Sequence, residues 1–335
     1  MKITKDMLHK DLQSFYRVGT IAPALIKRPW GAKLVAKLMN LSKGKNVEGL
    51  DCDERFIASG DGRSKIRVRV YRPQDCTEAL PAMLYIHGGG YLMGNPEGFA
   101  GMIKKFIETR KCVVIAPDYR KAFTEPFPAG FNDCYESLIW AKENAEQLGI
   151  RNDRFMVAGH SAGGGLTAAV TLKARDTKEV DIAFQMPIYP MIDDLQPVDA
   201  SRQMVSPIWS TQSNALGWSQ YLKALHNKYE AIPAYAAPAR NTDYSNFPPT
   251  ITFVGDCEPF CEETQRYVEA LKTAEVEVAF KLYEGCFHGF DMIASKTGIG
   301  KDALGFTFNQ YGQFYDRFVK GAAQVEETNV ETEQA

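Results

Sequence analysis

The sequence has no long apolar run. None of its 335 residues lies in a stretch that approaches the ~20 continuous apolar residues of a membrane-spanning helix. The amino-terminal segment MKITKDMLHKDL is charged throughout and has neither the apolar run nor the small-residue cleavage site of a secretory signal. We therefore predict a cytoplasmic protein with no integral membrane association.

The sequence also lacks an excess of charge of one sign. Its 39 Lys and Arg residues are offset by 41 Asp and Glu residues, and no basic cluster stands out. Proteins that bind nucleic acids usually carry a basic face or stripe, so a nucleic-acid partner is not expected. The length and the 45% hydrophobic content fit one large globular domain with insertions, or two ordinary domains.

Cysteine is scarce and unpatterned. The seven cysteines are an odd number scattered through a chain too large to need disulfides, which predicts reduced and mostly buried thiols. Cys257 and Cys261 are close in sequence but lack two further ligands at zinc-like spacing. We therefore predict no metal site.

From about residue 52, short apolar runs alternate with amphipathic segments, the pattern of a mostly parallel sheet covered by helices. Strands are predicted over 65–71, 82–87, 112–117, 154–159, 251–255 and 276–283. Helices are predicted over 131–148, the segment after Ser161, 261–274 and 303–319.

Two stretches interrupt this alternation. Residues 1–50 are helix-prone, and residues from about 195 to 245 are rich in Trp, Tyr, Pro and Ala where a short crossover would suffice. We predict that both form cap elements over a main domain spanning 51–325. Residues 326–335 are acidic and are predicted to form a flexible tail.

The pentapeptide GHSAG at 159–163 fits the pattern GxSxG, which places a serine on a sharp turn between a strand and a helix. A predicted strand precedes Ser161 and a predicted helix follows it, so Ser161 is the candidate nucleophile. The N–H of Ala162 at the helix start is a candidate oxyanion donor. The alternative is a glycine-rich turn with a buried serine. His160 is predicted to give packing support.

The segment HGGGY at 87–91 directly follows another predicted strand. Three consecutive glycines leave backbone N–H groups accessible to a ligand, so Gly88 and Gly89 are candidate oxyanion donors. A flexible loop or a phosphate-binding loop is the alternative. A phosphate loop would need a Lys-Ser or Lys-Thr pair at the start of its helix, and YLMGNPEGF offers none.

Chain order selects the general base. In hydrolases that carry GxSxG the serine comes first, the acid next and the histidine last, and only His226 and His288 follow Ser161. His226 lies in the predicted cap. His288 lies in GCFHGF directly after a predicted strand, where a loop would deliver it to the carboxyl edge of the sheet. We predict that His288 is the base.

The acid should come from the loop after the predicted strand at 251–255. This loop reads GDCEPFCEE and offers two carboxylates, Asp256 and Glu258. Either could accept a hydrogen bond from the histidine Nδ1 and fix its tautomer. Spacing alone leaves both open.

Four motifs together carry a family resemblance. HGGGY, DYRKAFTEPFPAGFND at 118–133, GHSAGG and CFHGF occur in the order seen in the hormone-sensitive-lipase-like family of α/β-hydrolase esterases, over nearly the whole chain. The resemblance implies the α/β-hydrolase fold, a mostly parallel central sheet flanked by helices with a helical cap. It also implies serine carboxylesterase activity on small, short-acyl esters through an acyl-enzyme intermediate, without metal or organic cofactor.

The resemblance also implies which of the two carboxylates is the acid. EPFCEE at 258–263 looks like the family's DPLRDE-like segment, which places Glu258 at the acid position and implies a triad of Ser161, Glu258 and His288. The chain departs from the family in having Glu where Asp is usual. It also has His160 where the family usually has Asp before the serine.

Substrate choice should lie with the cap. Trp209, Trp218 and Tyr221 could line a pocket there, although aromatic residues in a helical insertion more often pack against one another. Besides small esters, the same triad would serve acetylated sugars or amides. A ligand-binding protein without catalysis is the alternative from another class. The sequence does not determine the oligomeric state, and we consider a homodimer.

Overall fold

The computed structural model describes residues 1–74, 76–196, 203–228 and 230–320. Its central feature is an eight-stranded sheet in the order β1-β2-β4-β3-β5-β6-β7-β8. The strands are Leu50–Ala58 (β1), Lys65–Pro73 (β2), Leu80–Ile86 (β3), Val113–Pro117 (β4), Ile150–His160 (β5), Ile182–Ile188 (β6), Thr250–Gly255 (β7) and Val278–Tyr283 (β8). β1 and β4 each pair antiparallel with β2, and the other neighbours are parallel, so the predicted mostly parallel sheet is confirmed.

Helices cover both faces of this sheet. They are Tyr16–Gly19 (α1), Ile21–Ile26 (α2), Pro29–Met39 (α3), Ala100–Thr109 (α4), Ala129–Glu143 (α5), Ala145–Leu148 (α6), Ala162–Thr177 (α7), Thr211–Tyr221 (α8), Lys223–Lys228 (α9), Cys261–Thr273 (α10), Phe290–Ile293 (α11) and Gly298–Phe314 (α12). α4 and α12 contact each other on one face, and α5 and α7 contact each other on the other. Every residue of β3, β4, β6 and β7 is buried, as expected for parallel strands covered on both sides.

Some elements differ from their predicted extents. The helix predicted over 131–148 breaks at Asn144 into α5 and α6. The helix predicted over 303–319 begins earlier, where the Thr297 side chain accepts a hydrogen bond from the Gly300 N–H, and it ends in a π-helix over Tyr315–Lys320. β1 and β6 were not predicted.

The two predicted cap regions contain helices where the structure describes them. α1 to α3 lie within 1–50, and α8 and α9 lie within 195–245. Residues 197–202 of the second region and the predicted tail at 326–335 lie outside the described residues. The division into domains stays a prediction.

The amino-terminal segment is tied to distant parts of the chain by backbone hydrogen bonds. The Ile3 N–H donates to the Val205 carbonyl at 3.0 Å, and the His9 N–H donates to the Gly285 carbonyl at 2.9 Å. This segment is therefore joined both to the loop that precedes α8 and to the loop that follows β8.

The family-like segment 118–133 is held by an ion pair between partly buried Arg120 and buried Asp133. Asp133 of α5 accepts hydrogen bonds from the Arg120 backbone N–H and Nη2, both at 2.7 Å. A buried carboxylate needs such partners to offset the loss of its hydration. The pair fixes the loop between β4 and α5, close to the glycine-rich loop after β3.

Candidate active site

Ser161 occupies a strained turn between β5 and α7. Its φ is 60°, a value that non-glycine residues rarely adopt, and its backbone bonds to the next strand region through Ile188 and Met191, each at 3.0 Å. The start of α7 packs closely against the end of β3, since a Cβ on Gly163 would lie 2.1 Å from the Ile86 carbonyl oxygen. The serine is thus raised at the carboxyl end of β5, as the GxSxG pattern requires.

A chain of hydrogen bonds joins three buried side chains. Ser161 Oγ lies 2.9 Å from His288 Nε2, and His288 Nδ1 bonds to Glu258 Oε2. Glu258 Oε1 accepts a hydrogen bond from the Gly255 N–H at 3.2 Å. The three residues are only 7%, 6% and 1% exposed, respectively, so their interactions are little screened by water. In this arrangement an imidazole can accept the serine proton while a carboxylate stabilises the resulting imidazolium.

Asp256 and His226, the two alternative candidates, are not part of this hydrogen-bond chain. Asp256 is exposed, and its Oδ1 accepts a hydrogen bond from the Gly285 N–H at 2.7 Å. It therefore holds the turn after β8. His226 is exposed in α9. The structure brings Glu258, not Asp256, to His288.

The glycine-rich loop after β3 passes beside the serine. A Cβ on Gly88 would lie 3.4 Å from Ser161 Cβ. Within the described part of the chain, no hydrogen bond occupies the N–H groups of Gly88 and Gly89. Ala162 is the first residue of α7, where the N–H has no carbonyl partner inside the helix. These three N–H groups therefore have no protein partner among the described residues, and Gly88 lies directly beside Ser161.

Two buried histidines support this loop and the serine turn. The His87 ring stacks on Tyr119 at 4.3 Å, and His87 Nδ1 lies 2.8 Å from the Gly88 carbonyl oxygen. His160 Nδ1 and the Tyr85 hydroxyl share a hydrogen bond of 2.8 Å. Burial lowers the pKa of both His87 and His160 to about 3, so both imidazoles are neutral at physiological pH.

Aromatic rings that the sequence did not single out surround the imidazole of His288. Tyr189 and Phe260 each place a ring edge-to-face with it, with centroids 4.9 Å apart. The Tyr189 hydroxyl donates to Asp291 at 3.0 Å, and burial raises the pKa of Asp291 to about 6. Tyr189 directly follows β6, the strand that carried no sequence signal, so nothing in the sequence marked it.

The buried histidines lead to a prediction about stability and pH. In the unfolded chain their pKa values return toward 6.5, so between about pH 6.5 and pH 3 the unfolded state binds more protons. The two imidazoles should therefore contribute a fall in the free energy of unfolding as the pH drops, by up to about 1.4 kcal/mol per pH unit for each. Asp291 acts in the opposite sense between 3.8 and about 6, and so do Glu136 and Glu263, because burial also raises their pKa values. Substitution of a histidine therefore isolates its contribution.

We expect His160→Gln to flatten this dependence by about one proton, as measured by urea unfolding between pH 4.5 and pH 7. His226→Gln, at an exposed position in α9, is the matched control and should keep the wild-type slope. An unchanged slope in His160→Gln would contradict the assignment of this histidine as a buried neutral group.

Across residues 1–74, 76–196, 203–228 and 230–320, no group of three or more His, Cys, Asp or Glu side chains is arranged to hold a metal ion. In the same described ranges, no helix has both the length and the apolar character needed to cross a membrane.

The eight-stranded sheet, with a serine on a tight turn after β5 and a histidine after β8, defines an α/β hydrolase. A family model described as alpha/beta hydrolase fold matches residues 83–292, and the chain belongs to this family. The predicted fold class, the resemblance to the hormone-sensitive-lipase-like branch and the assignment as a hydrolase enzyme are confirmed.

Alignments with individual relatives cover most of the chain. It is 30% identical to carboxylesterase NlhH of Mycobacterium tuberculosis over 258 residues, which cover 76% of this chain and 80% of the relative. It is 29% identical to an ethyl acetate hydrolase of Pseudomonas putida, over 73% of this chain and 77% of the relative. A solved structure of a bacterial heroin esterase superposes with a TM-score of 0.84 at 28% identity, covering 93% of this chain and 99% of that one.

Proposed function

We propose that the protein hydrolyses small carboxylic esters in two acyl-transfer steps, with Ser161 as the nucleophile. The observation that carries this proposal is the buried hydrogen-bond chain from Ser161 Oγ through His288 to Glu258. A serine hydroxyl is a weak nucleophile by itself and becomes reactive when an adjacent base can take its proton.

In the first step neutral His288 accepts the serine proton through Nε2 as Oγ attacks the ester carbonyl. Glu258 holds the imidazole in the tautomer with Nε2 free and stabilises the imidazolium that forms. His288 then protonates the leaving alcohol, and an acyl group remains on Ser161. In the second step water, activated by the same histidine, releases the carboxylic acid and restores the enzyme.

The N–H groups of Gly88, Gly89 and Ala162 are proposed to bind the negative oxygen of each tetrahedral intermediate. Their positions beside Ser161 and their lack of protein partners support this role. Each such donor is typically worth about 3 kcal/mol of transition-state stabilisation. No metal or organic cofactor takes part in this mechanism.

Short acyl groups are the proposed preference. Ser161 is nearly buried, which favours small acyl groups. The relative named ethyl acetate hydrolase supports the same preference, because its name describes a two-carbon acyl ester.

A substrate panel tests the proposal. We expect kcat/KM for p-nitrophenyl acetate and butyrate to exceed that for the octanoate by at least about tenfold, because Ser161 is nearly buried. A p-nitroanilide of the same acyl group and an acetylated sugar complete the panel. A clear preference for the anilide would contradict the ester assignment, and a preference for the octanoate would contradict the short-acyl assignment.

A further inference from the structure

Trp209 combines burial with an unused hydrogen-bond donor. Its side chain is 5% exposed, and its indole Nε1–H has no hydrogen-bond partner among the described residues. Buried polar groups are nearly always paired, because an unpaired donor loses its hydration without compensation. This N–H is therefore a group whose partner remains to be identified.

The indole lies at the edge of the candidate active site. A Cβ on Gly90 would be 2.1 Å from Trp209 Cη2, so the ring rests directly on the glycine-rich loop. It also lies near the imidazole of His288, at 6.4 Å between ring centroids. The ring thus spans from the glycine-rich loop to His288, and Ser161 contacts both of these.

A strained turn holds the indole in this position. Ile208 has a φ of 67°, which is rare for a β-branched residue, and the Trp209 N–H closes a three-residue turn by donating to the Pro207 carbonyl at 2.8 Å. The Ile208 N–H donates to the Gly19 carbonyl of α1 at 2.7 Å, which fixes the turn from outside. Such strain persists where the surroundings enforce it, and it clusters at functional sites.

Trp218 provides a comparison within the same cap. Its side chain is 4% exposed and its indole N–H also has no partner among the described residues. Its ring, however, contacts the rings of Tyr91 and Tyr221, with centroids 5.3 Å and 6.0 Å away. In the part of the chain that the structure describes, it makes no ring contact with His288.

We propose that the Trp209 Nε1–H is a specificity-determining donor that binds an acceptor oxygen in the alcohol portion of the ester. The preferred substrates are then short-acyl esters of alcohols that carry a further hydroxyl or ether oxygen, as in partially acetylated polyols. This inference rests on the proposed function. Since His288 protonates the leaving oxygen, the alcohol portion lies on the His288 side of Ser161, where the indole is.

A site built to bond a substrate oxygen discriminates against the analogue that lacks it, because the buried donor is then left unpaired. The isosteric pair 2-methoxyethyl acetate and butyl acetate isolates this effect, since the two differ by one oxygen in place of a methylene. In the wild type we expect the ratio of their kcat/KM values to exceed the ratio of their alkaline hydrolysis rates by about fivefold. In Trp209→Phe the excess should disappear, so that the ratio of the two kcat/KM values returns to the alkaline ratio.

Trp218→Phe is the matched control, because it also removes a buried indole N–H, and it should keep the wild-type ratio. Both esters falling equally in Trp209→Phe, or a wild-type ratio that equals the alkaline one, would overturn the inference. The wild-type ratio alone decides the matter if Trp209→Phe does not fold, which a thermal unfolding curve reveals. A wild type inactive on both esters would refute the proposed function itself, so the two failures are distinguishable.

Discussion

Replacing Ser161 by alanine should lower kcat for p-nitrophenyl butyrate by about 10⁶-fold, to a level maintained by the oxyanion donors and substrate binding alone. The variant removes the nucleophilic oxygen that lies 2.9 Å from His288 Nε2, and no other hydroxyl group is bonded to that nitrogen in the described residues. A fluorophosphonate probe should label the wild type at Ser161, as identified by peptide mass spectrometry, and should leave the variant unlabelled.

Ser137→Ala provides a matched control for this experiment. Ser137 is a fully buried serine whose hydroxyl donates to the Asp133 carbonyl in α5, away from His288. This variant should keep both labelling and hydrolysis. A wild type that the probe does not label would support a binding protein without catalysis, and labelling of Ser161→Ala would place the nucleophile elsewhere.

Glu258→Ala should lower kcat by about 10⁴-fold, whereas Asp256→Ala should cost less than about tenfold. The reason is the different environment of the two carboxylates. Glu258 is buried and bonds to His288 Nδ1, so its loss releases the imidazole from the tautomer that leaves Nε2 free. Asp256 is exposed and bonds to the Gly285 N–H, so its loss affects only the turn after β8.

Glu258→Gln refines this comparison, because it keeps the length of the side chain and removes the charge that stabilises the imidazolium. We expect it to be nearly as inactive as Glu258→Ala. All variants are compared as kcat on the same ester after their folding is checked by circular dichroism. If Asp256→Ala were the more damaging change, Asp256 would be the acid and the family resemblance would have misled the assignment.

The sequence predicts the strands with continuous apolar runs better than it predicts β1 and β6. Continuous apolar runs marked β3, β4 and β7 because parallel strands are buried on both faces. β1 gave no signal because it is an edge strand with mostly exposed, charged side chains. β6 was missed because Gln185 and Pro187 interrupt its apolar character, and the Gln185 amide nitrogen donates hydrogen bonds to Thr250 and Tyr267 from other elements.

The residues of the candidate site also differ in how well the sequence predicts them. Ser161 and His288 lie at strand ends, where short motifs and chain order identify them. The acid could not be selected by spacing, because Asp256 and Glu258 leave the same strand within three residues of its end. Trp209 could not be assigned, because its direction depends on a turn that is held in place by a hydrogen bond from the Ile208 N–H to the carbonyl of distant Gly19.

The ties of the amino-terminal segment set an order for the assembly of the molecule. Residues 3 to 11 are synthesised before the residues they bond to, since Ile3 pairs with Val205, His9 with Gly285, and Asp11 with Ile299, 288 residues further along. Such non-local pairings are slow to form, and they cannot form before the later residue has been synthesised. This segment is thus among the later parts of the described chain to reach its final position, and it joins the loop of His288 only after that loop has been synthesised.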